Sequence, residues 1–81
     1  MYPKIVFIGA GSFIFARKII MDILHFPELS ESQLVLMDID AERLKISEKI
    51  SHQILSLTTN RIEVSATTDL NQALVGADFV L

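Results

Sequence analysis

The sequence predicts an α/β fold in which helices alternate with the strands of a parallel sheet. Short apolar runs at residues 5–8 and 34–37 are each followed by a segment of helical periodicity. Strands buried on both faces of a parallel sheet have such unbroken apolar runs. A glycine turn, Gly9-Ala10-Gly11-Ser12, follows the first run, and an acidic residue, Asp38, follows the second. These three observations favour a layered sheet with polar groups at the carboxyl ends of its strands.

The first helix is predicted to begin after Ser12 and to end before Pro27, because a residue that precedes proline is driven out of the helical region. Its inward face is predicted from apolar residues three and four positions apart. These residues are Phe13, Ile14, Ile19, Ile20, Ile23, Leu24 and Phe26. A polar connection over residues 26–33 then leads to the second strand at residues 34–37.

A second helix is predicted over residues 41–57, with an inward face formed by Leu44, Ile50, Ile54 and Leu57. Residues 61–67 alternate polar and apolar side chains, which indicates a strand at the sheet edge with one face in solvent. Asp69 is predicted to cap a short helix over residues 70–75, which Gly76 ends. The fourth strand is expected within residues 77–81.

This order of elements, with right-handed crossovers, predicts a Rossmann-type parallel sheet of strand order 3-2-1-4. The chain ends on Phe79-Val80-Leu81, an apolar run without a polar tail. We therefore expect a fragment, truncated in the fourth strand, in which residues 1–81 are the N-terminal cofactor-binding half. The substrate and catalytic part is expected to be absent. The apolar surface left uncovered predicts self-association.

Composition limits the class of protein. The 81 residues carry 10 acidic and 7 basic side chains, for a net charge of −3, and no cysteine. Without a basic cluster, nucleic acid and anionic membrane surfaces are not expected partners. Without cysteine there is no disulfide and no thiolate ligand for a metal. The apolar run near Met1 stops at Gly9, short of a secretory signal or a membrane span, so the cytoplasm is the expected compartment.

The glycine turn predicts a dinucleotide site. Gly9 permits a tight turn, Gly11 lets a phosphate approach the backbone, and the first amides of the helix would hold that phosphate. The full G-x-G-x-x-G pattern has a third glycine where Ile14 stands, which predicts a wider contact between helix and sheet.

Asp38 lies 27 residues after Gly11 and is predicted to accept hydrogen bonds from the adenosine ribose, which selects NAD over NADP. Asp40 competes for this role, although its position suits helix capping better. Arg43 is a candidate for contact with adenine or ribose. The predicted cofactor-binding residues are Gly9, Ala10, Gly11, Ser12, Phe13, Asp38, Ile39 and Arg43.

No set of catalytic residues can be assembled from this sequence. His25 and His52 are predicted surface or helix-end residues, because neither has an acidic or cysteine neighbour at the spacing of metal ligands.

Three stretches, IGAGSFIFARKIIMDIL, LVLMDIDAERL and ADFVL, together resemble the N-terminus of glycoside hydrolase family 4. That family has a G-x-G-S turn followed by bulky residues, matched here by Gly9, Gly11, Ser12 and Phe15. The combination of GAGS and LMDID is more similar to the α-galactosidase and α-glucosidase branch than to the 6-phosphoglycosidases.

The resemblance implies a cytoplasmic, homo-oligomeric glycosidase that needs NAD and a divalent metal, commonly manganese. Families of this kind are an exception to the usual two-carboxylate scheme. The resemblance implies oxidation of the sugar C3 hydroxyl with NAD as acceptor, elimination of the glycosidic bond, addition of water and return of the hydride. The family's metal-binding cysteine and histidine and its catalytic tyrosine are not matched within these 81 residues, so this chain alone is expected to be inactive.

Two other functions share this predicted layout. One is the cofactor half of a malate- or lactate-type dehydrogenase, whose continuation carries substrate-binding arginines and an Asp–His pair. The other is a non-catalytic nucleotide-binding module complete at 81 residues.

Overall fold

A computed structural model describes residues 3–81 of the chain. Its four strands form one parallel sheet of order β3-β2-β1-β4. The predicted α/β class and strand order are therefore confirmed. The strands are β1 (Lys4–Ile8), β2 (Gln33–Met37), β3 (Glu63–Thr67) and β4 (Phe79–Val80). The helices are α1 (Phe13–Leu24), α2 (Ala41–Leu55) and α3 (Leu70–Leu74). The sequence-based expectation about a secretory signal includes Met1 and Tyr2, which lie outside the described residues.

The two central strands, β1 and β2, pair over their full length from Lys4–Gln33 to Ile8–Met37. Every residue of β2 after Gln33 is buried, as its unbroken apolar run predicts. β4 pairs with the other edge of β1, where Ile5 lies opposite Phe79. This sheet brings the carboxyl ends of β1 and β2 side by side.

β3 is an edge strand, as predicted, and its alternating pattern is confirmed. Glu63 and Ser65 are exposed, whereas Val64 and Ala66 pack against the core. The strand begins two residues later than predicted. The amide of Arg61 donates to Ser30 O at 2.8 Å, and the amide of Ile62 donates to the side chain of Asn60 at 3.1 Å. Backbone bonds to β2 are therefore delayed until Glu63.

The inward face of α1 is narrower than predicted. Ile20 and Ile23 are buried, together with Ala16, and Ile19 and Leu24 are partly buried against the same core. Phe13, Ile14 and Phe26 are at least half exposed.

Ile14 lies away from the sheet, so its side chain gives no reason for the predicted wider contact between α1 and the strands. Its side chain is 68% exposed, so it does not lie between the helix and the strands. The small side chains of Ala10 and Ala16 are instead almost completely buried. They belong to the same core cluster as Ile5 and Phe7 of β1.

The inward face of α2 was also predicted wrongly in part. Leu44 is buried and Ile54 is partly buried, but Leu57 lies beyond the end of the helix and is 84% exposed. The buried face is Leu44, Ser47, Ser51 and Leu55. Ser47 and Ser51 are polar, so a pattern of apolar residues does not include them. Their spacing from Leu44 and Leu55 nevertheless follows the helical repeat.

The predicted polar connection over residues 26–33 contains a short 3₁₀ helix, Pro27–Leu29. Leu29 packs against the core, and Ser32 is fully buried, with its hydroxyl donating to Leu29 O at 2.7 Å. The connection is therefore partly an inward-facing element. Its proline stands at the first helical position, where the missing N–H is not needed.

The helices are unevenly divided between the two faces of the sheet. One core cluster joins Ile5, Phe7, Leu34 and Leu36 of the strands to buried residues of both α1 and α2. A smaller cluster on the opposite face joins Val6, Val35 and Met37 to Ala73 of α3. Within residues 3–81, none of the helices has the length and apolar character needed to cross a membrane.

Candidate cofactor site

The glycine turn is anchored to the carboxyl end of the neighbouring strand. Gly9 has φ +83°, a conformation that L side chains rarely adopt, so glycine is strongly favoured there. The amides of Gly9 and Ala10 both donate to Met37 O, at 2.9 and 3.0 Å. No heavy atom lies within 4 Å of the position that a Cβ would take on Gly9. The turn therefore presents an open face at the edge of the sheet where β1 ends.

The N-terminus of α1 has no side-chain cap. Ser12 occupies the N-cap position, as its place in the sequence predicts, but its side chain makes no capping hydrogen bond. The other two α-helices of the described chain are capped: Asp40 accepts from the amide of Arg43, and Asp69 accepts from the amide of Gln72, each at 3.1 Å. The first amides of α1 have no acceptor within their own helix, and a helix N-terminus favours anions. They suit a phosphate group.

Asp38 follows the last residue of β2 and is held by two backbone amides. Its Oδ2 accepts from the amide of Gly11 at 2.8 Å, and its Oδ1 accepts from the amide of Asp40 at 2.9 Å. The bonds from Asp40 and Gly11 lower the pKa of the Asp38 carboxyl below its ordinary value, although partial burial acts in the opposite direction. Asp38 is therefore a fixed, ionised carboxylate beside the glycine turn.

Gly11 is in close contact with that carboxylate. A Cβ on Gly11 would lie 2.8 Å from Asp38 Oδ2 and 3.1 Å from Arg43 Cβ. The sequence suggested that Gly11 lets a phosphate approach the backbone. In the structure, the space that its missing side chain leaves is next to Asp38 and the first turn of α2, so the glycine is needed for this contact as well.

Two hollows flank the glycine turn. One, of about 280 Å³, lies where the carboxyl ends of β1 and β2 meet α3. Its lining residues are Ile8, Gly9, Met37, Asp38, Ile39 and Leu70. The other, of about 410 Å³, lies between the first turns of α1 and α2. Its lining residues are Gly11, Ser12, Phe13, Ile14, Arg43 and Ile46.

The smaller hollow has the position that open α/β sheets use for ligands, outside the carboxyl ends of the strands. Its walls are almost entirely apolar, with Asp38 among the lining residues, and apolar walls of this kind suit a flat ring. The larger hollow has the uncapped end of α1 and the Arg43 side chain on its walls. The eight predicted residues therefore lie around one turn, with Ala10 buried beneath it.

Ile39 and Arg43 are the most exposed of the predicted residues. Ile39 is 88% exposed on the wall of the smaller hollow. The Arg43 side chain is largely exposed, with its Nε 3.6 Å from Asp40 Oδ2. Asp40 Oδ1 accepts a hydrogen bond from the amide of Arg43, which confirms the predicted helix-capping role of Asp40.

Three contributors to the site were not found from the sequence. Met37 contributes its carbonyl oxygen, which accepts both turn amides, and Leu70 and Ile46 contribute apolar walls. A backbone acceptor leaves no signal in residue type. Leu70 could have been found, because it follows Asp69 at the carboxyl end of β3, where ligand-contacting residues gather.

The two histidines lie away from the turn. His25 follows the last residue of α1, and His52 is on α2 with its Nε2 3.8 Å from Glu48 Oε2. Among residues 3–81, no three His, Asp or Glu side chains converge in a way that could hold a metal ion.

Comparison with known proteins gives consistent matches over this whole architecture. The sequence profile of the family 4 glycosyl hydrolases matches residues 4–81. An α-galactosidase of Rhizobium meliloti is 37% identical over 78 residues, which are 96% of this chain and 16% of that protein. An α-glucosidase of Erwinia rhapontici is 40% identical over 81 residues, which are 100% of this chain and 18% of that protein.

The fold also matches a solved structure. The crystal structure of a 6-phospho-α-glucosidase from gut microorganisms, in complex with NAD and Mn²⁺, superimposes with a TM-score of 0.75 at 28% identity. The match covers 99% of this chain and 18% of that one, so the chain spans under a fifth of the length of the proteins it matches. The profile match over nearly all of its residues shows that this chain belongs to family 4 of the glycosyl hydrolases.

Proposed function

We propose that this chain is the NAD-binding N-terminal part of a family 4 glycosidase that hydrolyses α-glycosides. The observation that carries the proposal is the ionised Asp38 carboxylate at the end of β2, fixed beside an open glycine turn. Its support is the family match and the presence of NAD in the superimposable 6-phospho-α-glucosidase. The family assignment also favours a glycosidase over the malate- or lactate-type dehydrogenase.

The residues present fit a dinucleotide. We propose that the pyrophosphate lies over the glycine turn, held by the uncapped first amides of α1. The Asp38 carboxylate would accept hydrogen bonds from the adenosine ribose, and Ile39 and Arg43 would border the adenine. The proposed cofactor-binding residues are those predicted from the sequence: Gly9, Ala10, Gly11, Ser12, Phe13, Asp38, Ile39 and Arg43.

Asp38 also supports a preference for NAD over NADP. A 2′-phosphate placed at the ribose would bring its negative charge against the carboxylate, whose lowered pKa keeps it ionised at neutral pH. Arg43 is already paired with Asp40, and it stands one turn into α2 rather than directly after Asp38. No described residue next to Asp38 offers a second cation.

When bound, NAD would supply reversible hydride acceptance from the sugar C3 carbon, the redox chemistry on which the proposed elimination and addition of water depend. This chain's own residues bind and orient the cofactor for that chemistry. We propose that the general base and the ligands of the divalent metal, manganese in the solved relative, come from outside these 81 residues. The chain alone would then bind NAD without hydrolysing glycosides.

Cofactor binding tests the proposal directly. Isothermal titration of the protein with NAD and with NADP should give a measurable affinity for NAD and at least tenfold weaker binding of NADP. Asp38→Asn should narrow this preference, because the repelling charge is removed. Asp22→Asn, an equal charge change on the exposed face of α1, is the matched control and should leave the preference unchanged.

Two results would contradict the proposal. One is equal or tighter binding of NADP, which would overturn the role of Asp38. The other concerns the activity of the full-length protein on α-galactosides and α-glucosides: hydrolysis that is unchanged after NAD has been removed would exclude the redox route. Size-exclusion chromatography of the same protein tests the predicted homo-oligomer.

A further inference from the structure

Asp38 joins two backbone segments that are far apart in the sequence. One of its oxygens accepts from Gly11 at the glycine turn, and the other accepts from Asp40 at the start of α2. Both bonds are made entirely within this chain. A carboxylate whose only role was to bind the ribose hydroxyls would not need hydrogen bonds to both the glycine turn and the start of α2.

The turn has three anchors at the end of β2, and one of them depends on a side chain. The amides of Gly9 and Ala10 donate to the backbone oxygen of Met37, whatever the side chain there. The amide of Gly11 donates to the Asp38 carboxylate. Gly11 is buried, so its amide would have little access to water if the carboxylate were removed.

The packing around Gly11 shows how closely the carboxylate is fitted. The position of a Cβ on Gly11 is 2.8 Å from Asp38 Oδ2 and 3.0 Å from Asp38 Cγ. Contacts below 3.0 Å are essentially never seen for real Cβ atoms. The glycine and the carboxylate are therefore a matched pair, in which the missing side chain of one makes room for the other.

We propose that Asp38 is a positioning residue that fixes the glycine turn against the start of α2, so that the amides at the N-terminus of α1 are already in place before NAD arrives. This deepens the proposed function, and its consequence for NAD affinity rests on that function. The positioning role itself does not, since both hydrogen bonds join groups of this chain.

The two roles of Asp38 do not compete. Each carboxylate oxygen has two acceptor sites, of which the backbone amides use one. One further acceptor site on each oxygen is left for a second hydrogen bond. The same carboxylate also lines the 280 Å³ hollow. A site fixed in advance binds more tightly, because less conformational freedom is lost on binding.

The test is amide hydrogen exchange of the protein without NAD, comparing Asp38→Asn with Asp40→Asn. Asn at position 38 can accept from one amide, but its NH₂ group would face the other as a second donor. Asp40→Asn removes the same charge two residues away and keeps a good helix cap. We expect exchange at Gly11 or Asp40 to rise roughly ten- to hundredfold in the first variant, the factor that loss of a hydrogen bond to a charged group corresponds to. In the second variant, exchange at Gly11 should stay close to the wild-type rate.

The outcomes separate this inference from the proposed function. Equal exchange in the two variants would overturn the positioning role, even if Asp38→Asn binds NAD more weakly. Faster exchange in Asp38→Asn, in a protein whose wild type does not bind NAD, would support positioning and overturn the cofactor proposal. Faster exchange together with weaker NAD binding would support both.

If Asp38→Asn does not fold, amide exchange of the wild type tests the positioning role instead. Without NAD, the Gly11 and Asp40 amides should exchange far more slowly than that of Thr59, an exposed residue that follows α2. Exchange at Gly11 as fast as at Thr59 would show that the carboxylate does not hold the turn, and would overturn the proposal.

Discussion

Asp38 lies directly after β2, where its carboxylate accepts from the amides of Gly11 and Asp40. Its place in the sequence predicted a carboxylate at the carboxyl end of the second strand, and the structure places it there. Its hydrogen bonds to Gly11 and Asp40 depend on how the turn folds back over β2. The sequence shows that Gly11 and Asp40 are present, but it does not show that their amides lie within hydrogen-bond distance of the Asp38 carboxylate.

The protonation of Asp38 predicts a dependence of stability on pH. Its pKa in the folded chain lies below the ordinary value of 3.8, through the bonds from Asp40 and Gly11 and the nearby Arg43. The unfolded chain therefore takes up the proton first as the pH falls. The stabilisation is complete above pH 3.8 and is lost as the pH falls towards the folded pKa.

Urea unfolding at a series of pH values measures this effect. The difference in free energy of unfolding between wild type and Asp38→Asn should be constant near neutral pH and should shrink below pH 3.8. A difference that stays constant down to the acid-unfolding limit would show that the Asp38 pKa is not lowered by folding.

Alanine substitutions at the two glycines with positive φ distinguish the effect of backbone strain on stability from the effect of a side chain on NAD binding. Gly9 and Gly76 have φ of +83° and +70°, and neither has a heavy atom near its missing Cβ. Gly9→Ala and Gly76→Ala should each cost about 1–2 kcal/mol of stability, because an L side chain is unfavourable there. Gly9→Ala should also weaken NAD binding, since the added methyl group lies beside the proposed pyrophosphate position.

Gly76→Ala is the matched control, because Gly76 follows α3 and lines neither hollow. Chemical denaturation gives the two stability losses, and isothermal titration gives the two affinities for NAD. Equal affinities in the two variants would contradict the position proposed for the pyrophosphate.

At the scale of the helices, α2 shows why periodicity identified the element but not all of its buried face. The helix packs against both α1 and β3. Small side chains at Ser47 and Ser51 allow close approach there, and both are fully buried. Ser51 Oγ donates to Ser47 O at 2.7 Å, whereas Ser47 Oγ has no partner among the described residues.

Ser47→Ala is therefore expected to stabilise the protein. A buried hydroxyl without a partner costs free energy, and its removal should raise the free energy of unfolding by about 1 kcal/mol. Ser51→Ala, one turn along the same face, removes a hydrogen bond and should lower stability by about 1 kcal/mol instead. Urea denaturation of both variants measures the contrast, and equal losses would contradict it.

At the scale of the whole molecule, the uneven covering of the sheet leaves an apolar surface. Two long helices cover one face, while the other is covered by the five residues of α3. Val75, Phe79, Val80 and Leu81, at and near the edge strand β4, are all at least half exposed. Edge strands with exposed apolar side chains favour association between molecules.

The chain is expected to self-associate through this surface. Sedimentation velocity at increasing concentration should show growing mass, and Val80→Lys should reduce it, because a lysine on an edge strand opposes pairing. Leu57→Lys is the control: Leu57 is 84% exposed but follows α2, away from β4, so this variant should associate as the wild type does. A monomer at all concentrations would contradict the expectation.

The order of elements and the topology of the sheet were predictable, because hydrophobic periodicity and the handedness of crossovers depend on local chemistry. The glycine turn, Asp38 and the caps at Asp40 and Asp69 were predictable for the same reason. Each rests on residue type at a fixed place beside a strand or helix end.

What the tertiary structure alone decided is how these elements meet. Ile14 turned away from the sheet, and two serines were placed at the buried face of α2. The carboxylate of Asp38 came to fill the space beside Gly11, 27 residues away. Periodicity shows which side chains share one face of a helix. It does not show how the helix is rotated about its axis against its neighbours, or how far it lies from them. Those are set by close packing of the whole molecule, in which every side chain competes for the same space.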